Sequence, residues 1–227
     1  MRTMIETTAM PMRVLGTMMG CCLGLLALAA FSPLKAGTDM KELQPPVCTC
    51  TSQDWTLELG SGVSWSNVRS GQPNQAYTIV PIKLTASLKL DDVSLDNFAG
   101  GWLRGYSEFF FRGEYWQITH GPENHFEGLT VGPRYNFVQP GWKIIPFVEG
   151  NVGFGFADSN PQAGGLGQDF NFTFGVAAGV RYNITDQWFT RLGVYYQHVS
   201  NAGLSEPAAS NHPIDSLGPQ LSIGYAF

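Results

Sequence analysis

Charged residues and cysteines are both scarce in this sequence. Of its 227 residues only 14% are Asp, Glu, Lys or Arg, and the formal net charge is −5. Proteins that bind nucleic acid normally present a basic surface, so we expect no nucleic-acid partner. The chain is long enough for one all-β domain of ordinary size. What it contains in quantity is glycine, with 27 residues, and aromatic side chains, which make up 13%.

The four cysteines do not suggest a disulfide framework. Cys21 and Cys22 lie in an N-terminal apolar run and are lost if that run is cleaved. Cys48 and Cys50 form a Cys-x-Cys pair, which cannot close an unstrained disulfide within one extended segment. A thiolate metal site needs further ligands that the sequence does not supply. We interpret the second pair as incidental or intermolecular, and we expect neither a metal nor a cofactor.

A long apolar run occurs only near the N-terminus. Arg2 and Arg13 precede the apolar residues 14–30, and small residues follow, with candidate cleavage points after Ala29 and after Ala36. This order is typical of a cleaved secretory signal peptide. No later run has the length of a transmembrane helix.

Apolar and polar residues alternate in eight segments between residue 55 and the C-terminus. In the second segment, Ile82 and Leu84 alternate with Lys83 and Thr85, which predicts a β-strand with one apolar face. After the first segment, the predicted strands span about 77–90, 102–118, 126–138, 142–156, 169–183 and 187–200. The eighth strand ends the chain at Phe227.

These strands fit either a soluble sandwich or a membrane barrel with its apolar faces toward lipid. The strands reach the roughly 9–11 residues of a tilted membrane crossing, and aromatic residues mark many strand ends. The chain also stops on a phenylalanine preceded by alternating apolar residues, like the C-terminal signal of bacterial outer-membrane proteins. We therefore predict an all-β fold, an eight-stranded antiparallel transmembrane β-barrel. The domains are a signal peptide over 1–36, an N-terminal periplasmic tail over 37–52 and the outer-membrane barrel over 53–227.

An eight-stranded barrel has an interior filled by its own side chains. The predicted inward faces carry both signs of charge, on Lys83, Arg104, Arg112, Arg134 and Arg181 and on Glu58, Glu108, Glu114 and Glu149. We predict that these residues form a structural network, so the interior is neither a diffusion pore nor a catalytic cavity.

The end of the seventh strand carries a histidine and a serine two residues apart. Side chains at i and i+2 share one face of a strand, so the imidazole of His198 can reach the hydroxyl of Ser200, as a general base must. The alternative is a surface histidine beside an ordinary strand serine. Even positions face lipid in this strand and odd positions in the eighth, which places His198, Ser200 and Asp215 on the outer wall. Polar groups there indicate either a strand end in the headgroup zone or a function.

The expected topology predicts at which depth in the membrane these side chains lie. With both termini periplasmic, the loop 201–213 between the last two strands faces the cell exterior. The three side chains then form an acid–base–nucleophile set that is level with the outer leaflet and faces lipid. The substrate expected for such a set is a lipid ester of that leaflet.

A longer motif surrounds the pair: His198-Val199-Ser200-Asn201-Ala202-Gly203-Leu204, then Asn211-His212-Pro213-Ile214-Asp215 and a strand to the C-terminus. These residues resemble the PagL-type lipid A 3-O-deacylases, outer-membrane acyloxyacyl hydrolases. The resemblance implies that the substrate is the 3-O-linked acyl chain of lipid A in lipopolysaccharide, and that no metal is needed. It implies Ser200 as the nucleophile, His198 as the general base and Asp215 as the acid. It also implies that the Asn201 side chain and the Gly203 N–H hold the oxyanion.

Two departures from the family concern the acid. Asp215 is one methylene shorter than the family's usual glutamate, and the loop before it is a few residues longer. Glu206, within that loop, is the alternative acid, although we favour Asp215; His212 is interpreted as a solvated loop residue. The alternative functions are a non-catalytic barrel acting in adhesion or envelope integrity, and a lipid A acyltransferase. The oligomeric state is open, with a homodimer among the alternatives.

Overall fold

A computed structural model describes residues 54–66, 76–95 and 98–227 of the protein. The predicted signal peptide, the predicted tail and all four cysteines lie outside these residues. The strands are β1 (Trp55–Gly62), β2 (Ser64–Ser66), β3 (Tyr77–Lys89), β4 (Gly105–His120), β5 (His125–Phe137), β6 (Ile144–Ala157), β7 (Phe170–Asn183), β8 (Trp188–Ser200) and β9 (Ile214–Ala226). Over these three stretches of chain, no helix is both long enough and apolar enough to cross a membrane.

The strands close into a barrel. β1 and β2 act as one strand interrupted at Val63, because both pair with β3 on one side and with β9 on the other. Every neighbouring pair is antiparallel, and the register of β1 with β9, for example Leu57 opposite Tyr225, closes the sheet on itself. The prediction of an all-β, eight-stranded antiparallel barrel is therefore confirmed. The third predicted strand begins later than expected, at Gly105, because residues 102 and 103 form a turn that follows a 3-10 helix (Phe98–Gly101).

The two faces of the wall have opposite chemistry. Leu57, Leu129 and Leu221 point outward and are 46%, 58% and 57% exposed, whereas Glu58 and Arg134 point inward and are 3% and 2% exposed. An apolar belt on the outside and charges on the inside are the arrangement of a membrane barrel, since lipid solvates the apolar face. The period-2 alternation fixed this orientation, because neighbouring residues of a strand face opposite sides.

Ion pairs fill the barrel interior. Arg134 contacts three carboxylates, those of Glu58 at 2.9 Å, Glu108 at 3.0 Å and Glu149 at 2.8 Å. Arg191, which the sequence did not single out for this network, contacts Glu58 at 3.2 Å and Glu108 at 3.1 Å.

The remaining predicted interior cations differ in their positions. Arg112 contacts Glu149 at 2.8 Å, Lys83 lies 3.5 Å from Glu114, and Arg181 lies 3.7 Å from Glu108. Arg104 instead precedes β4, and its guanidinium donates to the backbone oxygen of Val138 at 2.9 Å.

One end of the barrel, formed by the loops 121–124, 158–169 and 201–213, is here called the site end. Its interior is closed by a cluster of buried apolar side chains: Tyr77, Ile79, Trp116, Ile118, Phe126, Ala157, Leu166, Val199 and Ile214. The buried carboxylate of Glu123 accepts hydrogen bonds from the Tyr77 hydroxyl at 2.7 Å and from the Leu166 N–H at 2.6 Å. A buried carboxylate is costly without hydrogen-bond donors. Because Leu166 supplies one of them, the bond fastens loop 158–169 across the site end.

Loop 158–169 in turn contacts loop 201–213. The backbone N–H of His212 donates to the oxygen of Gly165 at 3.3 Å, and the N–H of Gly167 donates to the side-chain oxygen of Asn211 at 3.4 Å. Gly167 lies so close to Ser205 that a Cβ at this position meets the Ser205 hydroxyl. The two loops are therefore packed together beside the end of β8.

Candidate active site

His198 and Asp215 form a hydrogen-bonded pair on the outer wall. They lie directly opposite each other in the register of β8 with β9. Nδ1 of His198 is 2.7 Å from Oδ1 of Asp215, and the two side chains are 21% and 26% exposed. A carboxylate can only accept, so the imidazole donates through Nδ1 and leaves Nε2 as the nitrogen that can take a proton.

Two aromatic side chains contact this pair, and neither contact was predicted from the sequence. The Phe174 ring, on β7, lies against the His198 ring with centroids 4.6 Å apart and planes at 30°. The hydroxyl of Tyr196 donates to Oδ1 of Asp215 at 2.6 Å. Tyr196 shares the parity of His198 and precedes it by two residues, so its place on the wall was readable from the sequence. The contact of Phe174 with His198 depends on the β7–β8 register, which could not be read from the sequence.

Ser200 ends β8 on the same wall as His198. Its Oγ accepts a hydrogen bond from the side-chain amide of Asn211 at 2.9 Å and one from the backbone N–H of Ala202 at 3.3 Å. The Ser200 hydroxyl is thus turned toward loop 201–213 in this structure, while His198 is engaged with Asp215. A nucleophile and base often separate in this way without substrate, because the catalytic hydrogen bond tightens only when substrate binds.

The turn after Ser200 is shaped by Asn201. Its side chain is fully buried; the side-chain oxygen accepts from the Gly203 N–H at 2.9 Å, and the amide donates to the Ser205 hydroxyl at 2.8 Å. Such a contact is an Asx turn, and it directs the chain away from the strand. Ala202 and Gly203 have positive φ of 56° and 81°, a conformation that glycine tolerates and alanine rarely adopts.

The structure therefore brings Asn211, and not Asn201, to the Ser200 hydroxyl. Asn201 continues the inward parity of β8, and its two side-chain bonds hold the turn. The N–H of Gly203 donates to Asn201. The oxyanion roles of Asn201 and Gly203 stay predictions. Asn211 lies eleven residues beyond Ser200, and only the folding of the loop brings the two together.

The two candidate acids have different surroundings. Asp215 contacts His198, whereas Glu206 is an exposed loop residue whose N–H donates to the backbone oxygen of Gly203 at 3.1 Å. The geometry thus favours Asp215 as the group that orients the imidazole. Among the residues placed in the structure, no group of three or more His, Cys, Asp or Glu side chains is arranged to hold a metal ion.

Together these groups are suited to acyl transfer. A carboxylate that orients an imidazole, a hydroxyl on the same wall and an amide donor beside that hydroxyl are the components of a serine esterase. All of them lie on or beside the apolar outer wall and not inside the barrel.

Comparison with known proteins yields one family and several barrels. The family described as lipid A 3-O-deacylase (PagL) matches residues 82–225, a range that includes His198, Ser200, Asn211 and Asp215. The crystal structure of the outer membrane enzyme PagL is similar with a TM-score of 0.47 and 20% identity, covering 74% of this chain and 97% of that one. Neisserial surface protein A is similar with a TM-score of 0.49 and 14% identity, covering 76% and 95%. Protein opa of Haemophilus influenzae is 24% identical over 104 residues, 44% of this chain and 79% of the relative.

Proposed function

Because this chain belongs to the lipid A 3-O-deacylase (PagL) family of outer-membrane barrels, we propose that it hydrolyses the 3-O-linked acyl ester of lipid A with Ser200, His198 and Asp215. The lipopolysaccharide of the outer leaflet is its substrate, and the reaction takes place on the outer wall of the barrel. The observation that carries this proposal is the 2.7 Å hydrogen bond between His198 and Asp215, beside Ser200 on a lipid-facing surface.

In the first half of the reaction, Ser200 attacks the ester carbonyl. The Ser200 hydroxyl turns from Asn211 toward His198, and its proton passes to Nε2 as the Oγ–carbon bond forms. Asp215 stabilises the resulting imidazolium through Nδ1 and keeps the ring oriented. The bond from the carbonyl carbon to the sugar 3-oxygen then breaks, and that oxygen takes the proton from His198.

The oxyanion of the tetrahedral intermediate needs hydrogen-bond donors close to Ser200. The resemblance to the family assigns this role to Asn201 and Gly203. The contacts of the Ser200 hydroxyl support a different donor, the amide of Asn211, which already lies 2.9 Å from Oγ. Donors aimed at a developing oxyanion typically contribute about 10²–10³ in rate each.

The second half returns the enzyme to its resting state. Water attacks the acyl-enzyme carbonyl, His198 takes a proton from that water, and the Ser200–carbon bond breaks as Oγ takes the proton back. The free fatty acid leaves into the membrane. Water can reach the site because His198 and Asp215 lie close to the strand ends that carry loop 201–213.

Lipid A mass tests the proposal. Wild type, Ser200→Ala and a control, Ser61→Ala, are expressed in a Gram-negative host, and lipid A is analysed by mass spectrometry. Ser61 is an exposed serine on the wall of β1, which β9 separates from β8, and its partner Leu221 lies six residues along β9 from Asp215. We expect wild type and Ser61→Ala to remove one acyl chain and Ser200→Ala to remove none.

The same measurement separates the alternatives. Unchanged lipid A with folded wild type supports a non-catalytic barrel for adhesion or envelope integrity. A gain of one chain supports an acyltransferase. Removal of a chain by folded Ser200→Ala contradicts the assignment of the nucleophile.

A further inference from the structure

Tyr196 lies one step before His198 on the outer wall and touches the same carboxylate oxygen. Its hydroxyl is 2.6 Å from Oδ1 of Asp215, and Nδ1 of His198 is 2.7 Å from that oxygen. The three side chains therefore form a chain of contacts from phenol to carboxylate to imidazole. The proposed mechanism uses the second contact and gives no part to the first.

The position of Tyr196 makes its hydroxyl a fixed donor. Its register partners on the two adjacent strands are Val176 and Leu217, both exposed apolar residues of the wall. Its ring centroid is 6.5 Å from that of Phe174, which also lies against His198. A half-buried phenol between strand neighbours has few rotamers, so little entropy is lost when it forms the bond.

The Asp215 carboxylate needs such a donor. It sits on a wall that faces lipid, with 26% of the side chain exposed, and a charge in that setting is stabilised mainly by nearby donors. Hydrogen bonds to an ionised oxygen are short and strong, which agrees with the two distances. With one bond removed, an aspartate can rotate about its side-chain bonds and lose alignment with the imidazole.

We propose that Tyr196 is a positioning residue of the active site, whose hydroxyl fixes the Asp215 carboxylate in the orientation that aligns His198. This inference rests on the proposed function, because it assigns Tyr196 a part in the same triad. The alternative is that Tyr196 is an aromatic residue at the membrane interface whose hydroxyl is irrelevant to the chemistry.

Substitution by phenylalanine removes only the hydroxyl. Tyr196→Phe, the control Tyr182→Phe and wild type are purified, and kcat and KM are measured on lipid A in mixed micelles. Tyr182 is an exposed wall tyrosine near the opposite end of β7. We expect kcat of Tyr196→Phe to fall by about 10- to 100-fold, the range for a hydrogen bond to a charged group, with KM unchanged. Tyr182→Phe should match wild type.

A second background tests whether Tyr196 acts through Asp215. In Asp215→Ala the acceptor is gone, so adding Tyr196→Phe should cause less than about a twofold further loss, since coupled residues are non-additive. Equal losses in both backgrounds, a change in KM alone, or wild-type kcat in Tyr196→Phe overturns the inference.

The reactivity of Ser200 gives a readout that does not depend on the lipid substrate. A fluorophosphonate phosphonylates an activated serine, and the labelling rate of Ser200 is measured for each variant by intact mass. If wild type is labelled but does not deacylate lipid A, the proposed function fails. Slower labelling of Tyr196→Phe than of wild type then still supports the positioning role of Tyr196. If wild-type Ser200 is not labelled, or if Tyr196→Phe is labelled as fast as wild type, the inference fails.

Discussion

Arg134 holds the interior of the barrel together, and its removal should destabilise the fold without altering the chemistry on the outer wall. The guanidinium lies within 3.0 Å of Glu58, Glu108 and Glu149, and Arg134 is 2% exposed. Arg134→Met keeps much of the volume and removes the charge. All three carboxylates then lose a partner in a region that water does not solvate freely.

The magnitude follows from the cations that remain. Glu58 and Glu108 keep Arg191, and Glu149 keeps Arg112. Within 3.2 Å, two cations then face three carboxylates, so one buried negative charge is left uncompensated. Such a charge costs about 3–5 kcal/mol of unfolding free energy. Adding Glu149→Gln to Arg134→Met removes the one excess negative charge and should recover part of the loss.

Equilibrium urea unfolding in lipid vesicles, followed by tryptophan fluorescence, measures this change. Lys143→Met is the matched control, because it also removes one positive charge but at an exposed position. We expect this control to lie within about 0.5 kcal/mol of wild type. If Arg134→Met is no less stable than Lys143→Met, the reasoning about the interior network is refuted. Deacylation by the folded fraction of Arg134→Met should match wild type, because Arg134 points inward and the site lies outside.

Two further predictions concern the site itself. Asp215→Ala should lower kcat by about 10³–10⁴-fold, as loss of the acid does in serine triads, whereas Glu206→Ala should stay within a few-fold of wild type. Kinetics on lipid A measure both losses. A larger loss of kcat in Glu206→Ala than in Asp215→Ala identifies Glu206 as the carboxylate that orients His198. Asn211→Ala should lower kcat by about 10²-fold through loss of an oxyanion donor with the barrel intact by circular dichroism. Asn201→Ala should instead weaken the turn and lower the stability of the protein. If Asn201→Ala lowers kcat as much as Asn211→Ala does and leaves stability unchanged, Asn201 is favoured as the oxyanion donor.

The fold was largely readable from the chain because its signal is local. Alternation with period 2 shows which residues share a wall face, and this property needs no knowledge of the neighbouring strand. It placed Leu57 outside and Glu58 inside, and it placed His198 and Ser200 on the outer wall of β8. The later start of β4 was missed, because the turn residues Trp102 and Leu103 before it are also apolar.

The contacts within the site depended on register and on loop packing. His198 lies opposite Asp215, and Phe174 opposite His198, because of how β7, β8 and β9 are aligned, and a shift of one residue would turn each strand's side chains to the other face. Asn211 reaches Ser200 only because loop 201–213 folds back against loop 158–169. The amide beside Ser200 could not be assigned from sequence spacing, since Asn201 is adjacent in the chain whereas the side chain of Asn211 donates to the Ser200 hydroxyl.

The sequence alone thus determined the wall on which the candidate chemistry lies, and the tertiary structure decided which groups meet there. The first property comes from the geometry of a single strand, in which successive side chains alternate between faces. The second comes from interactions between residues distant in the chain, such as Tyr196 with Asp215, or Arg134 with Glu58 inside the barrel. Such contacts are set by the closure of the whole sheet, which brings β9 against both β1 and β8.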